Sequence, residues 1–238
     1  MVYTREVLVE KCYAGEKFKY LFFWKPTITE GEITESCLSQ WWMCPFAVDG
    51  VTYSCAEQYM MAEKARLFHD EAMLDKIMNT NYPKEMKAYG RAVQNFQDEV
   101  WESKAYSIVK KGNIAKFSQN PELWNYLKQS KNRILVEASP RDRIWGIGLG
   151  AGNPDAQNPV KWRGRNLLGF ALMEVRDILL EREQREHGNL PEQGKQEQDN
   201  LPEQKKKQEH GNTVIYQKRD KQGLTEKEFL ASYDAGHF

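Results

Sequence analysis

Two ionisable residues of the sequence, Glu57 and Lys64, are spaced so that they share one face of a helix. They lie seven positions apart with Met61 between them, and spacings of three and four residues place side chains on the same side of an α-helix. A carboxylate and an amine that face the same space could act as a base and a nucleophile. Two alternatives stay open, because Ser54 to Glu57 also matches a capping box and Lys64 could be a solvated lysine.

A second group of polar residues follows a short predicted strand. Glu137 ends the strand, Asp142 follows a turn, and a loop then carries glycine at every second position from Gly146 to Gly152. Such glycines let backbone N–H groups approach a phosphate or a sugar closely. The spacing matches neither a dinucleotide-binding fingerprint nor a P-loop. The alternative is a flexible surface loop with Trp145 packed on the core.

The third feature is Asn166, which lies between Gly164 and Gly169 at the start of a predicted helix. Asparagine at such a position is most often a helix cap. Its amide, together with the N–H groups of the helix start, could instead hold an anion. Both roles remain open from the sequence.

The elements that would position these residues are mostly helical. Hydrophobic periodicity predicts helices over residues 54–68, 71–78, 99–111, 121–130 and 167–183, with a further helix opened by Pro83. Apolar runs and alternation predict strands over residues 2–10, 19–24 and 133–137, and a hairpin over 46–53 that turns at Asp49-Gly50. The predicted fold is therefore α+β, a helix-rich single domain with a small β element.

Composition and cysteine spacing exclude several classes of protein. The 34 Lys and Arg residues balance 34 Asp and Glu residues, so a nucleic-acid partner would have to be held by a local pocket. The four cysteines show no Cys-x-x-Cys pair and no histidine at finger spacing, which argues against a metal site. The longest aromatic run, residues 20–24, is too short to span a bilayer, and the N-terminus has no signal-peptide core. We expect a soluble, cytoplasmic protein, and a nuclear location is also compatible.

The C-terminal part of the chain differs from the rest in composition. Residues 183–212 contain two hydrophobic residues, Leu190 and Leu201, and repeat the phrase Asn-Leu-Pro-Glu-Gln. Too little apolar surface is present to offset the entropy of ordering, so a disordered low-complexity linker is predicted between a domain of residues 1–182 and a terminal peptide of residues 213–238. That peptide is expected to be a frayed terminus or a docking segment for a protein partner.

Several short motifs occur in order along the body of the chain. They are Phe22-Phe-Trp24, Leu38-Ser-Gln-Trp-Trp42, Pro45-Phe46, Ala56-Glu57-Gln-Tyr-Met-Met-Ala-Glu-Lys64-Ala65, Lys87-x-x-Gly90-Arg91, Lys116-Phe117, Leu135-Val-Glu137-Ala-Ser-Pro-x-Asp142-x-x-Trp145-Gly146-x-Gly148 and Trp162-x-Gly164-x-Asn166-x-Leu-Gly169. In this order they closely resemble the NADAR family, the YbiA-like N-glycosidases, over about residues 18–180. The chain has Gln58 where many members have histidine, and Gln40-Trp41 where some have Asn-Phe, a difference that bears on substrate choice.

The resemblance implies a hydrolase that cleaves the N-glycosidic bond between a ribose and an amine, without a cofactor. The substrate would be ADP-ribose attached to guanine, free or in nucleic acid, or a ribosylamino-pyrimidine phosphate of riboflavin synthesis. The implied catalytic residues are Glu57, Lys64 and Asp142. The implied substrate-binding residues are Trp42, Arg91, Glu137, Trp145, Gly146, Gly148 and Asn166.

Cleavage at the ribose C1 carbon can follow two routes. An oxocarbenium-like state needs a carboxylate that stabilises charge or activates water, and Glu57 or Asp142 could supply it together with a proton donor for the leaving amine. Alternatively Lys64, if desolvated, could displace the amine and form a Schiff base with the opened sugar. Trp42 and Trp145 could stack on the base in either route.

A binding module is the alternative from another functional class. It would recognise ADP-ribose or a nucleotide without turning it over, and would need the pocket but no paired base and amine. A protein ADP-ribosyl hydrolase is a third reading that the sequence does not separate from the first.

Overall fold

The computed structural model describes residues 3–26, 32–186 and 188. Its helices are α1 Arg5–Tyr13, α2 Ala56–Leu67, α3 Glu71–Met78, α4 Pro83–Arg91, α5 Asp98–Gln119, α6 Pro121–Gln129 and α7 Leu167–Glu186. Its strands are β1 Tyr20–Phe23, β2 Met43–Val48, β3 Val51–Cys55 and β4 Ile134–Glu137. The predicted α+β class, rich in helix with a small β element, is confirmed.

The strands form two separate pairs. β1 and β4 pair in parallel, with Phe23 opposite Glu137, so the last residue of β4 lies at the carboxyl end of this sheet. β2 and β3 pair antiparallel through a turn in which Asp49 and Gly50 have φ values of 51° and 79°. Positive φ at both central residues is typical of the type I′ turn that matches strand twist, and the predicted hairpin is confirmed.

Helix α2 is the central element of the domain. Its residues 56–62 are all buried, and it packs against α3, α4 and α5. Helix α5 approaches it closely at Gly112, where a Cβ atom would lie 2.3 Å from the ring of Tyr59. A helix buried on most of its circumference places its ionisable residues in an environment of low polarity, which shifts their protonation.

The strand predicted over residues 2–10 is wrong, because this segment forms α1. Thr4 caps the helix by accepting a hydrogen bond from the Val7 N–H (3.2 Å), and Leu8 is its buried residue. The Arg5 guanidinium donates to the carbonyls of Pro159 and Val160, both at 3.0 Å. A capped helix satisfies its own backbone groups, whereas a strand here would need a partner strand.

Two predicted helix boundaries also change. Helix α2 begins at Ala56 and is preceded by Cys55, while Ser54 belongs to β3, so Ser54 is not the cap. Helix α5 continues eight residues beyond the predicted end at Lys111, to Gln119. Gly112 favours a helix end in isolation, but here its missing side chain gives room to a buried ring.

The predicted linker and terminal peptide fall almost entirely outside the described residues. Helix α7 continues through Glu186, four residues past the predicted domain boundary at residue 182. The duplicated phrase and residues 213–238 lie outside the described part of the chain.

Candidate active site

Glu57 lies in the first turn of α2, where the chain leaves β3. Its backbone N–H donates to the Gln40 carbonyl (2.9 Å), its side chain is buried, and the Trp41 indole N–H donates to its carboxylate. The capping-box alternative does not fit this geometry, because the N–H and hydroxyl of Ser54 both donate to Gln58 Oε1, at 2.7 and 3.0 Å. The Glu57 carboxylate is therefore free of a capping role.

Helix α4 brings two cations to Glu57. Gly90 lets α4 approach α2 so closely that a Cβ atom there would lie 2.0 Å from the Met61 sulfur. Lys87 and Arg91 flank this glycine at positions that share a helix face. Burial raises the pKa of Glu57 above its usual value, and the positive charges of Lys87 and Arg91 oppose that rise.

Glu137 is the second carboxyl of the site. Its Oε2 atom is shielded from solvent and has no hydrogen-bond partner among the described residues, although the residue as a whole is only partly buried. Burial, followed by the negative charge of Asp142, raises the pKa of Glu137 to about 8, while Lys87 opposes the rise. At neutral pH this carboxyl is mainly protonated, so it can donate a proton.

Asp142 organises the loop that follows Glu137. Its Oδ1 atom accepts hydrogen bonds from the N–H groups of Ile144 (2.9 Å) and Trp145 (2.7 Å). Gly146 then passes so close to β4 that a Cβ atom would lie 2.9 Å from the Glu137 carbonyl. One carboxylate oxygen of Asp142 is thus committed to the loop, and its charge acts on both glutamates.

The glycines of this loop fall into two groups. Gly146 has the close approach described above, and Gly148 has a φ of 67° that other residues rarely adopt. Gly150 and Gly152 lie in open space, where a Cβ atom would meet nothing within 4 Å. Trp145 is partly buried and packs against the hydrophobic core. The loop is consequently tied down over its first half.

Asn166 lies beneath the site and is fully buried. Its Oδ1 accepts from the Glu137 N–H (3.0 Å) and its Nδ2 donates to the Leu135 carbonyl (2.9 Å), while its backbone φ is 58°. Gly169 allows this contact, since a Cβ atom there would lie 2.1 Å from the Leu135 carbonyl oxygen. The amide therefore braces the end of β4 and has no donor left for an anion.

Lys64 lies two turns beyond Glu57 on α2. Its Nζ lies 4.0 Å from the ring centre of Phe96 and 5.6 Å from that of Trp101. Burial lowers the pKa of Lys64, Asp98 opposes this, and Arg91 lowers it further. Because the Arg91 charge acts on both Lys64 and Glu57, the arginine connects the two ends of the predicted helix face.

Four site residues were not predicted as such from the sequence: Lys87, Trp41, Phe96 and Trp101. Lys87 carried a usable signal, because its four-residue spacing to Arg91 places both on one face of α4. No spacing rule distinguishes Trp41 from its neighbour Trp42, which is partly buried and packs against the core. Among the described residues, no group of three His, Cys, Asp or Glu side chains is arranged to hold a metal, and no described helix is long and apolar enough to cross a membrane.

Residues 22–180 match the NADAR domain, a stretch that includes every charged residue of this site. The chain belongs to the NADAR domain family. Within that family it is 41% identical over 167 residues to N-glycosidase R617 of Acanthamoeba polyphaga mimivirus, an alignment that covers 68% of this chain and 97% of the relative. N-glycosidase YbiA of Escherichia coli is 33% identical over 135 residues, covering 57% of this chain and 76% of YbiA.

A solved structure supports the same NADAR assignment. The NMR structure of Escherichia coli YbiA matches with a TM-score of 0.57 and 27% identity, covering 71% of this chain and 89% of that one. The family predicted from the motifs is thus confirmed. Both relatives are named N-glycosidases, which is the enzyme class predicted from the sequence.

Proposed function

We propose that this protein is an N-glycosidase that cleaves the bond between the C1 carbon of a ribose and an amine. The observation that carries the proposal is the pair of carboxyl groups, Glu57 and Glu137, held in unlike environments within one cluster of charges. Two titratable groups whose surroundings push their pKa values apart are typical of an acid and base pair. The glycosidase names of two relatives support the same class.

In the first route the two carboxyls divide the work. Glu57, near Lys87 and Arg91, accepts a proton from water as the water oxygen bonds to C1. The C1–N bond breaks, and the protonated carboxyl of Glu137 gives its proton to the leaving amine. Asp142 acts by raising the pKa of Glu137 and by holding the loop, so we assign it a positioning role.

In the second route Lys64 is the nucleophile. Burial lowers the pKa of Lys64, so a larger fraction of its amine is neutral than in water. The neutral amine attacks C1 of the ring-opened sugar, the leaving amine departs with a proton, and water then hydrolyses the imine. The carboxyls carry the protons in this route as well, so both routes depend on Glu57.

The substrate that we propose carries phosphate. Arg143, Arg163 and Arg165 are exposed beside the glycine loop, and the Arg165 N–H donates to the Arg143 carbonyl (2.9 Å). Within the described residues none of the three forms an ion pair, and a guanidinium binds phosphate in a bidentate manner. Both ADP-ribosylated guanine and a ribosylamino-pyrimidine phosphate satisfy this requirement. A relative named riboflavin biosynthesis protein, from Vibrio vulnificus, is 27% identical over 161 residues that cover 39% of its length.

The test incubates the full-length protein separately with ADP-ribosylated guanine nucleotide and with ribosylamino-pyrimidine phosphate, and follows the products by mass. We expect release of the free ribosyl product from one of them, unchanged by excess chelator, and its loss in the Glu57→Gln variant. A protein that binds one compound tightly and cleaves neither would contradict the proposal and identify a binding module.

A further inference from the structure

The segment of residues 37–41 carries Trp41 to Glu57 and is held by a buried cation. The ammonium group of Lys116, on α5, is fully buried and donates to the carbonyls of Cys37 (2.7 Å) and Ser39 (2.8 Å). A buried ammonium is costly unless it is hydrogen-bonded, so its donors are committed to these carbonyls. The position of the segment relative to α5 is consequently well determined.

Two further hydrogen bonds connect this segment to the catalytic helix. The fully buried Asn113 amide donates to Gln40 Oε1 (2.9 Å), and the Gln40 carbonyl accepts from the Glu57 N–H (2.9 Å). The Trp41 N–H in turn donates to Ser39 Oγ (3.2 Å). The Trp41 indole N–H is thereby presented to the Glu57 carboxylate by a framework outside α2.

The charged and titratable groups that face Glu57 come from several elements. They are Lys87 and Arg91 from α4, Glu137 from β4, Asp142 from the following loop, and the Cys55 thiol. Lys87 and Asp142 act on both carboxyls of the site, in opposite directions. They do not separate one carboxyl from the other, whereas Trp41 and Arg91 act on Glu57 and not on Glu137.

We propose that Trp41 is a positioning residue that holds Glu57 ionised and oriented as the base of the N-glycosidase reaction. The proposal rests on the proposed function. A hydrogen bond donated to a carboxylate is stronger than one donated to a carboxylic acid, so the indole favours the ionised form. Glu137 has no such donor at Oε2 and remains the acid.

The first test compares Trp41→Phe with Trp124→Phe in the full-length protein. Trp124 also donates its indole N–H to a glutamate, Glu183 (2.6 Å), so the control removes the same kind of bond between α6 and α7. We expect the acid limb of the kcat/KM profile to move up by about one pH unit in Trp41→Phe, since a charged hydrogen bond is lost. Trp124→Phe should leave the limb in place. An unmoved limb in Trp41→Phe would overturn the proposal.

The second test needs no substrate and therefore separates this proposal from the proposed function. Loss of the indole raises the pKa of Glu57 in the folded state, so the stability lost in Trp41→Phe should grow as pH rises from 4.5 to 8. The growth should vanish in a Glu57→Gln background. A stability difference that is constant with pH, or one that persists in that background, would assign Trp41 a packing role only.

Discussion

Replacement of Glu137 by glutamine tests the protonation of the site directly. The pKa of Glu137 rises from 4.5 to about 8 on folding, so the folded protein binds more protons than the unfolded chain between these values. The free energy of unfolding therefore falls as pH rises through this window. At about 1.4 kcal/mol per pKa unit, the wild-type protein should lose at most about 3–4 kcal/mol between pH 5 and pH 8 through this one group.

Urea unfolding at pH 5, 6, 7 and 8 measures the effect. Glutamine does not titrate, so Glu137→Gln should gain stability relative to wild type as pH rises, by up to the same roughly 3–4 kcal/mol. Any packing cost of the amide is independent of pH and cancels in this comparison. The matched control is Glu102→Gln, an exposed position on α5, where the difference from wild type should stay nearly constant.

A difference between Glu137→Gln and wild type that does not change between pH 5 and pH 8 would refute this reasoning. Glu137 would then be ionised in the folded protein at neutral pH, and the proton donor would have to be another group. In turnover we expect kcat to fall by about 10²–10⁴, the usual contribution of a general acid. Substrates whose leaving amine needs no proton should be affected much less.

The remaining predictions concern the base, the lysine and the loop. Glu57→Gln should lower kcat/KM by about 10³ or more, because an amide does not accept the proton of water, and near-normal turnover would exclude Glu57 as the base. Lys64→Arg should lose at least about 10² in kcat/KM, because a guanidinium stays protonated. Retention of a tenth of the activity, with no adduct trapped by borohydride, would assign turnover to the carboxyl pair. Gly146→Ala should lower the free energy of unfolding by about 1–3 kcal/mol and impair activity, since its Cβ would meet the Glu137 carbonyl at 2.9 Å. Gly150→Ala, in open space, is its control, and equal unfolding free energies would show that the loop moves aside.

Local signals in the sequence determined most of the elements and the shared helix face. Pro83 and Pro121 each open a helix, and Asp49-Gly50 turns the hairpin, because these residues restrict or permit particular backbone angles without help from the rest of the fold. The seven-residue spacing of Glu57 and Lys64 likewise holds wherever the segment is helical. The family motifs identified the NADAR fold for the same reason, since their order is a property of the chain.

Tertiary contacts alone decided what the carboxyls can do. Ser54 and Glu57 match a capping box in sequence, but Gln58 takes that role because its amide also reaches the carbonyls of Ile77 and Thr80, at 3.0 and 3.2 Å. The N-terminal alternation became a helix once Thr4 capped it.

The protonation of Glu137 depends on burial beneath a loop and on the charge of Asp142, and Asn166, 29 residues away, holds its backbone. Trp41 differs from Trp42 only in which side chain reaches Glu57, which is set by Lys116 and Asn113 on a distant helix. Desolvation and charge interactions depend on distances in space, so no local pattern of residues specifies them.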